Sequence, residues 1–163
     1  MEMAIVRLDF IEDTGTWAFS PVFHRFFNPV HEISREAAQL HGLTKDRLVA
    51  KGARGFTRED AIEITAHLNG CKGIIGHNLG FDLQSLNDQF LAIGAVRLTS
   101  KLYSTPAICT QKLAREKLDV LPMQSSLNSV FQRLFNERFD GAHVALADAI
   151  ATARIWTKLR LMN

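Results

Sequence analysis

A short apolar run at residues 72–76, bounded by turn signals, constrains the fold of this chain more than any other feature. A run of this length is typical of a strand that is buried on both faces of a parallel sheet. Before it, Thr57 and Asp60 form a capping-box pattern that begins a helix, and after it helical spacing returns at 81–93. Strand signals that alternate with helices predict an α/β fold with a mixed sheet.

The remaining segments fit the same plan. Two strands are predicted at 3–11 and 21–28, separated by a turn, and another short strand at 107–109. Helices are predicted at the segments with helical spacing, which are 34–40, 57–68, 81–93, 110–117, 125–135 and 144–161.

The helix at 81–93 has four predicted core positions: Phe81, Leu86, Phe90 and Ile93. Phe81 is expected to anchor this helix against the sheet. Truncation of a buried phenylalanine typically costs about 3–5 kcal/mol, so Phe81→Ala is expected to be strongly destabilising.

Length and composition indicate one soluble domain, 1–163, with 47% apolar residues and a net charge of +2. No run approaches the roughly 20 apolar residues that a membrane span needs, and the first residues do not resemble a signal peptide. A cytoplasmic protein without membrane association is therefore expected. Cys71 and Cys109 form no CxxC pair, and both are predicted to be small core residues in a reducing compartment.

The segment GHNLGFD at 76–82 lies where the predicted buried strand ends and a helix begins. Sites in open α/β sheets gather beyond the carboxyl ends of strands, and Asp82 would lie in the first helical turn there. A purely structural interpretation stays open, because Asn78 and Asp82 are also residue types that favour helix starts.

The segment HVALADA at 143–149 pairs a histidine with an aspartate five positions later. Positions five apart lie about 140° apart around a helix, so His143 and Asp148 cannot share one helical face. They can share a site if His143 lies on the preceding loop and Asp148 lies within the helix. The alternative is a histidine near the N-cap and an aspartate on a solvated face.

A third segment combines FFNP at 26–29 with HGLT at 41–44. By itself it indicates the exit of a strand and a turn between helices. His41 has no obvious partner, and these residues alone favour a structural role for it.

Taken together and in this order, the three segments resemble the DnaQ-like (DEDDh) 3′→5′ exonuclease family, which includes polymerase proofreading subunits, RNase T and oligoribonuclease. The resemblance extends from about residue 2 to 160 and is carried by FFNPVHEISREAAQLHGLT, GHNLGFDLQSLN and HVALADAIAT. It implies an RNase H-like fold, a mixed sheet flanked by helices. It also implies removal of nucleotides from the 3′ ends of single-stranded DNA or RNA, in proofreading or repair.

The resemblance assigns roles residue by residue. Asp82 and Asp148 match metal-binding carboxylates, and His143 matches the general base that activates water. Two divalent cations, Mg²⁺ or Mn²⁺, are the implied cofactors, and such cations suit hydrolysis of a phosphodiester. The implied partners are the 3′ end of a single-stranded nucleic acid and a DNA polymerase or other replication or repair protein. The candidate substrate-binding residues are His41, Asn78 and Phe81.

One motif of the family is not found. Family members carry an Asp-x-Glu on their first strand, whereas Asp9 and Glu12 are three positions apart and would face opposite sides of a strand. The family also has three strands before its first helix, and this chain has room for two. The chain is therefore expected to lack the family's first strand, by N-terminal truncation or by degeneration, unless Asp9 substitutes as a metal ligand.

Three hypotheses about function follow. The chain is a 3′→5′ exonuclease, or it is a catalytically degenerate module that binds nucleic acid or a protein partner without hydrolysis. The third hypothesis is an unrelated α/β enzyme, but no Gly-rich phosphate loop, GxSxG or HExxH motif supports it.

Overall fold

The computed structural model describes residues 1–139, 141 and 143–162, and its elements follow the predicted alternation. Strands β1 (Glu2–Ile11) and β2 (Thr16–Phe26) form a two-stranded hairpin. Gly15 closes the turn at a φ of +65°, and its N–H donates to the carbonyl of Ile11 across 2.9 Å. Glycine adopts this left-handed backbone without a Cβ clash.

Helices predominate in the rest of the described chain. In chain order the elements are α1 (Arg35–His41), α2 (Lys45–Ala50), α3 (Arg58–His67), β3 (Ile74–Gly76), α4 (Leu79–Ala92), α5 (Val96–Ser104), β4 (Ala107–Cys109), α6 (Thr110–Leu118), a 3₁₀ helix (Pro122–Gln124), α7 (Leu127–Phe135) and α8 (Ala145–Leu159).

The predicted α/β class is confirmed, with one difference in the sheet. Among the described residues the strands form two separate two-stranded sheets, β1 with β2 and β3 with β4, and not one continuous sheet. Helices α2 and α5 were not predicted.

The predicted capping box at the start of α3 is confirmed. The Thr57 hydroxyl accepts the backbone N–H of Asp60, and the Asp60 carboxylate accepts the backbone N–H of Thr57. Two N–H groups that the helix itself cannot satisfy are thereby paired, which fixes where α3 begins.

The chain divides into two compact units. The first comprises Met1–Met3, Arg25–Ile74 and Gly80–Ala107. Its core contains a row of aromatic rings: Phe27 lies 5.0 Å from Phe56, and Phe56 lies 5.7 Å from Phe90, measured between ring centroids. Phe27 and Phe90 are fully buried.

The expectation that Phe81 anchors α4 is wrong. The Phe81 side chain is 71% exposed, whereas Phe90, nine residues further along the helix, is fully buried, as predicted. In the first turn of α4 Leu79 is buried, and Phe81 and Asp82 are exposed. The prediction that both cysteines are core residues also fails for Cys71, which is exposed.

The second unit comprises Ala4–His24, Ile75–Leu79 and the chain from Ile108 onward. Its core lies where α6, α7 and α8 pack together, and its buried members are Ala114, Val130, Phe131, Ala151, Ile155 and Leu159. None of the helices in the described residues combines the length and the apolar character that a membrane crossing requires.

Candidate active site

The N-terminus of α8 brings His143 and Asp148 together. Asp148 lies in the first turn of the helix, and His143 precedes the N-cap residue Val144. The backbone N–H of His143 donates a hydrogen bond to Asp148 Oδ1 across 3.3 Å. Valine has no polar atom with which to cap the helix, and a carboxylate is favoured in this first turn by the helix dipole. The geometry that the spacing required, histidine on the loop and aspartate in the helix, is present.

The loop before α8 has an unusual backbone. His143 has a φ of +71°, a left-handed conformation that residues with a side chain rarely adopt. Gly141 has a φ of +91°, and a Cβ added there would lie 3.3 Å from the Cβ of Ala147. The loop thus passes close to α8. His143 is exposed and Asp148 half-buried, so the imidazole is accessible to a ligand.

The turn between β3 and α4 is fixed by His77. Its Nδ1 lies 3.0 Å from Thr110 Oγ1, and its Nε2 lies 2.9 Å from the carbonyl oxygen of Ser125. Burial lowers the pKa of His77; the hydrogen bond with Ser125 acts in the opposite direction, and the charge of Arg115 adds to the lowering. The ring is therefore a neutral link between this turn, α6 and the segment before α7.

The Cys109 thiol also responds to the backbone of this turn. Its pKa is affected by hydrogen bonding from the backbone N–H groups of Lys112, Leu79, Asn78 and Gln111. Burial raises the pKa of the Cys109 thiol, but these hydrogen bonds outweigh burial and leave the pKa below its usual value. The backbone groups that lower the pKa of Cys109 thus come from both the start of α6 and the turn that precedes α4.

The predicted residues of this turn are presented to solvent. Asn78 has a φ of +63°, in the left-handed region that asparagine tolerates better than most residues. Phe81 and Asp82 lie in the first turn of α4, and all three side chains are exposed.

The other two predicted residues lie elsewhere in the chain. His41 ends α1, and its Nδ1 accepts the backbone N–H of Leu43 across 3.0 Å, which fits the structural role that the sequence favoured. Asp9 is exposed near the end of β1. Successive side chains of a strand alternate between faces, so Asp9 and its neighbour Phe10 point in opposite directions.

The candidate metal ligands are of a suitable type, but they do not form a complete site. Carboxylate oxygens are the ligands that Mg²⁺ prefers. Among the described residues, however, no group of three His, Cys, Asp or Glu side chains is able to hold a metal ion. His143 approaches Asp148 through its backbone N–H, which is a hydrogen-bond donor and not a metal ligand.

Sequence reasoning missed two features. The roles of Cys109 and Thr110 at the start of α6 depend on residues far away in the chain, and a single small polar residue at a helix start gives no sign of them. The second feature is a cluster in which Trp17, near the start of the chain, contacts Trp156 and Arg160, near its end.

Comparison with known proteins identifies the family. The profile of the RNase T family, described as exonuclease, matches residues 1–156. No curated protein matches the sequence. The mixed α/β architecture is consistent with the RNase H-like fold of exonucleases, and exonucleases of this kind generally use divalent metals. Because the match covers most of the 163 residues, the chain belongs to the RNase T exonuclease family.

Proposed function

We propose that this chain is a DnaQ-like exonuclease of the DEDDh type, which removes nucleotides from the 3′ end of single-stranded DNA or RNA. The observation that carries the proposal is the contact between His143 and Asp148 at the start of α8, in a chain matched over residues 1–156 by the exonuclease family. The contact supports a role for His143 because it holds the backbone that presents the exposed imidazole.

In this proposal His143 is the general base. The unperturbed pKa of histidine lies near neutral pH, where an imidazole accepts a proton readily. A ring nitrogen of His143 takes a proton from water, and the water oxygen bonds to phosphorus. The bond from phosphorus to the 3′ oxygen of the preceding nucleotide then breaks, and that oxygen takes up a proton. The products are a nucleoside 5′-monophosphate and a shortened strand.

Asp148 and Asp82 are the proposed metal-binding carboxylates, with Asp9 as a further candidate. Mg²⁺ or Mn²⁺ would neutralise charge on the phosphate when bound. The described residues supply only part of a ligand set, since no three candidate ligands group together among them. The dependence of activity on added Mg²⁺ or Mn²⁺ is therefore part of what has to be tested.

Substrate binding is proposed for Asn78, Phe81 and His41. Among these three residues, Phe81 is the best suited to bind a base, because its side chain is 71% exposed and a nucleobase stacks well on an exposed ring. A DNA polymerase or another replication or repair protein remains the predicted protein partner, and a cytoplasmic location remains a prediction.

A second function is favoured by one observation. The absence of a three-residue metal group from the described chain fits a module that binds nucleic acid, or a protein partner, without hydrolysing it. Such a module would keep the exposed residues of the β3–α4 turn but would not depend on His143.

The test is degradation of a 5′-labelled single-stranded oligonucleotide by the purified chain, with Mg²⁺, with Mn²⁺ and with a chelator. The expected result is a 3′→5′ ladder that needs the metal and falls about 100-fold or more in His143→Ala. His24→Ala is the matched control, because His24 is exposed in β2 and lies outside the three segments that resemble the family.

Two substitutions at Asp148 separate its possible roles. Asp148→Asn keeps an oxygen that can accept the His143 N–H, but it loses the negative charge, whereas Asp148→Ala loses both. Activity that survives only in the Asn variant would mean that Asp148 positions the loop and binds no metal. A folded chain that binds the oligonucleotide but gives no ladder under any condition would overturn the exonuclease proposal and favour the binding module.

A further inference from the structure

An aromatic–arginine cluster, formed by Phe10, Trp17, Trp156 and Arg160, lies within the second unit. The Phe10 and Trp17 ring centroids are 5.1 Å apart, and Trp17 meets Trp156 edge to face at 5.0 Å. The Arg160 guanidinium carbon lies 4.8 Å from the Trp17 ring centroid and 5.0 Å from that of Trp156. The end of β1, the start of β2 and the C-terminal end of α8 thus meet at one stack of rings.

Arg160, which follows the last residue of α8, differs from Arg154 within α8, which also stacks on aromatic rings. Arg154 lies over Phe131 and Phe135, and it also forms an ion pair with Glu137 at 3.5 Å. The Arg160 guanidinium is exposed and has no hydrogen bond or ion pair with any residue that the structure describes. Its N–H donors are consequently available to an external anion.

The cluster also presents an apolar surface. Phe10 is 50% exposed, and the Leu161 that follows Arg160 is exposed as well. Because β1 alternates its side chains, the Asp9 carboxylate points away from the face that carries the Phe10 ring. The exposed face therefore joins a flat ring to an unpaired cation and does not include the neighbouring carboxylate.

We propose that the aromatic–arginine cluster binds single-stranded nucleic acid outside the candidate active site, with a base stacked on Phe10 and a backbone phosphate paired with Arg160. Single-stranded nucleic acid presents unpaired bases and backbone phosphates in alternation, and the stacking of a base on an aromatic ring does not depend on base identity. Guanidinium groups form strong charge-assisted hydrogen bonds with phosphate. This inference rests on the proposed function, because it gives an exonuclease a second hold on its strand.

The two tryptophans of the chain, Trp17 and Trp156, both lie in the cluster, so intrinsic tryptophan fluorescence reports on it alone. The probe is a single-stranded DNA oligonucleotide, titrated in the presence of a chelator so that no hydrolysis occurs. Saturable quenching is expected. An abasic oligonucleotide of the same length and charge should bind about tenfold or more weakly, because it keeps the phosphates and loses the stacking bases.

Substitutions test the two contacts separately. Phe10→Leu keeps an apolar side chain in the hairpin and removes the flat ring, and it should weaken binding about tenfold. Arg160→Gln should weaken binding and reduce the dependence of log affinity on log salt by about one unit. Met123→Ala, at an apolar side chain that is 84% exposed outside the cluster, should change neither.

The outcomes are distinct from those of the degradation assay. Absence of quenching, equal binding of the abasic strand, or affinity unchanged in both Phe10→Leu and Arg160→Gln would each overturn the inference. A ladder without quenching would leave the exonuclease proposal standing and refute the cluster as a binding surface. Quenching without a ladder would support the cluster and refute the proposed catalysis.

Discussion

The ring of His77 is bonded through Nε2 to the carbonyl oxygen of Ser125, at 2.9 Å. A carbonyl oxygen only accepts, so Nε2 carries the hydrogen of this bond. In the neutral ring Nδ1 is then an acceptor for the Thr110 hydroxyl, 3.0 Å away, and the single hydrogen of that hydroxyl is shared with the Gly76 carbonyl oxygen at 3.2 Å. Burial favours this neutral form and holds the pKa of His77 below its ordinary value of 6.5.

Stability should therefore depend on pH through His77. When the chain unfolds, this histidine regains its ordinary pKa and binds a proton that the folded chain excludes. The free energy of unfolding should fall as pH decreases from about 6.5 and level off below the folded-state pKa. Urea unfolding of the wild type and of His77→Gln across this range isolates the effect, because the amide of glutamine does not titrate. Identical pH dependence in the two proteins would contradict the prediction.

Asp60 should be a strong determinant of stability in the first unit. Its side chain is 1% exposed, and its carboxylate accepts hydrogen bonds from Arg25 at 2.8 Å and from Arg54 at 2.6 Å. Asp60→Asn leaves these donors poorly paired and should lower the free energy of unfolding by about 1.5–3 kcal/mol in urea denaturation. Glu63→Gln removes the negative charge of a 40% exposed partner of Arg25 and should cost less than about 1 kcal/mol. Equal costs for the two would show that burial of Asp60 is unimportant.

Two phenylalanines of α4 should behave in opposite ways. Phe90 is fully buried and packs against Phe56, so Phe90→Ala should cost about 3–5 kcal/mol. Phe81 is 71% exposed, and Phe81→Ala should change stability by no more than about 0.5 kcal/mol. Thermal unfolding of both variants checks the placement. A large loss of stability in Phe81→Ala would mean that its ring is buried in solution.

The elements that sequence predicted well carry their signals locally. The capping box of Thr57 and Asp60 joins residues three apart, and the strand at Ala107–Cys109 lies where its short apolar run predicts. Helix α5 was missed because Ala95 supplies no side-chain cap. Of the predicted core positions of α4, Phe90 is fully buried, but Phe81 is exposed. Helical spacing gives the candidate positions but does not determine how far along the helix the contact with the core extends.

In the candidate site, too, local features were predictable from the sequence and long-range contacts were not. The spacing of His143 and Asp148 required a loop followed by a helix, and the structure has that arrangement. The fixation of the β3–α4 turn was not predictable, since His77 contacts Thr110 and Ser125, which lie 33 and 48 residues further along the chain. Such contacts depend on tertiary packing, for which the local sequence carries no signal.

The left-handed backbone of His143, with a φ of +71°, gives a last prediction. Glycine adopts this conformation freely, whereas alanine in the same conformation is strained by about 1–2 kcal/mol. Glycine also has the larger conformational entropy in the unfolded chain, which offsets part of this difference. His143→Gly should therefore be more stable than His143→Ala in urea denaturation by about 0.5–1 kcal/mol. Ala66→Gly, at an exposed position in α3, is the control and should lose about 1 kcal/mol. Both His143 variants should lack exonuclease activity, because relief of backbone strain does not replace the imidazole. A glycine variant less stable than the alanine variant would show that the loop does not hold this backbone in solution.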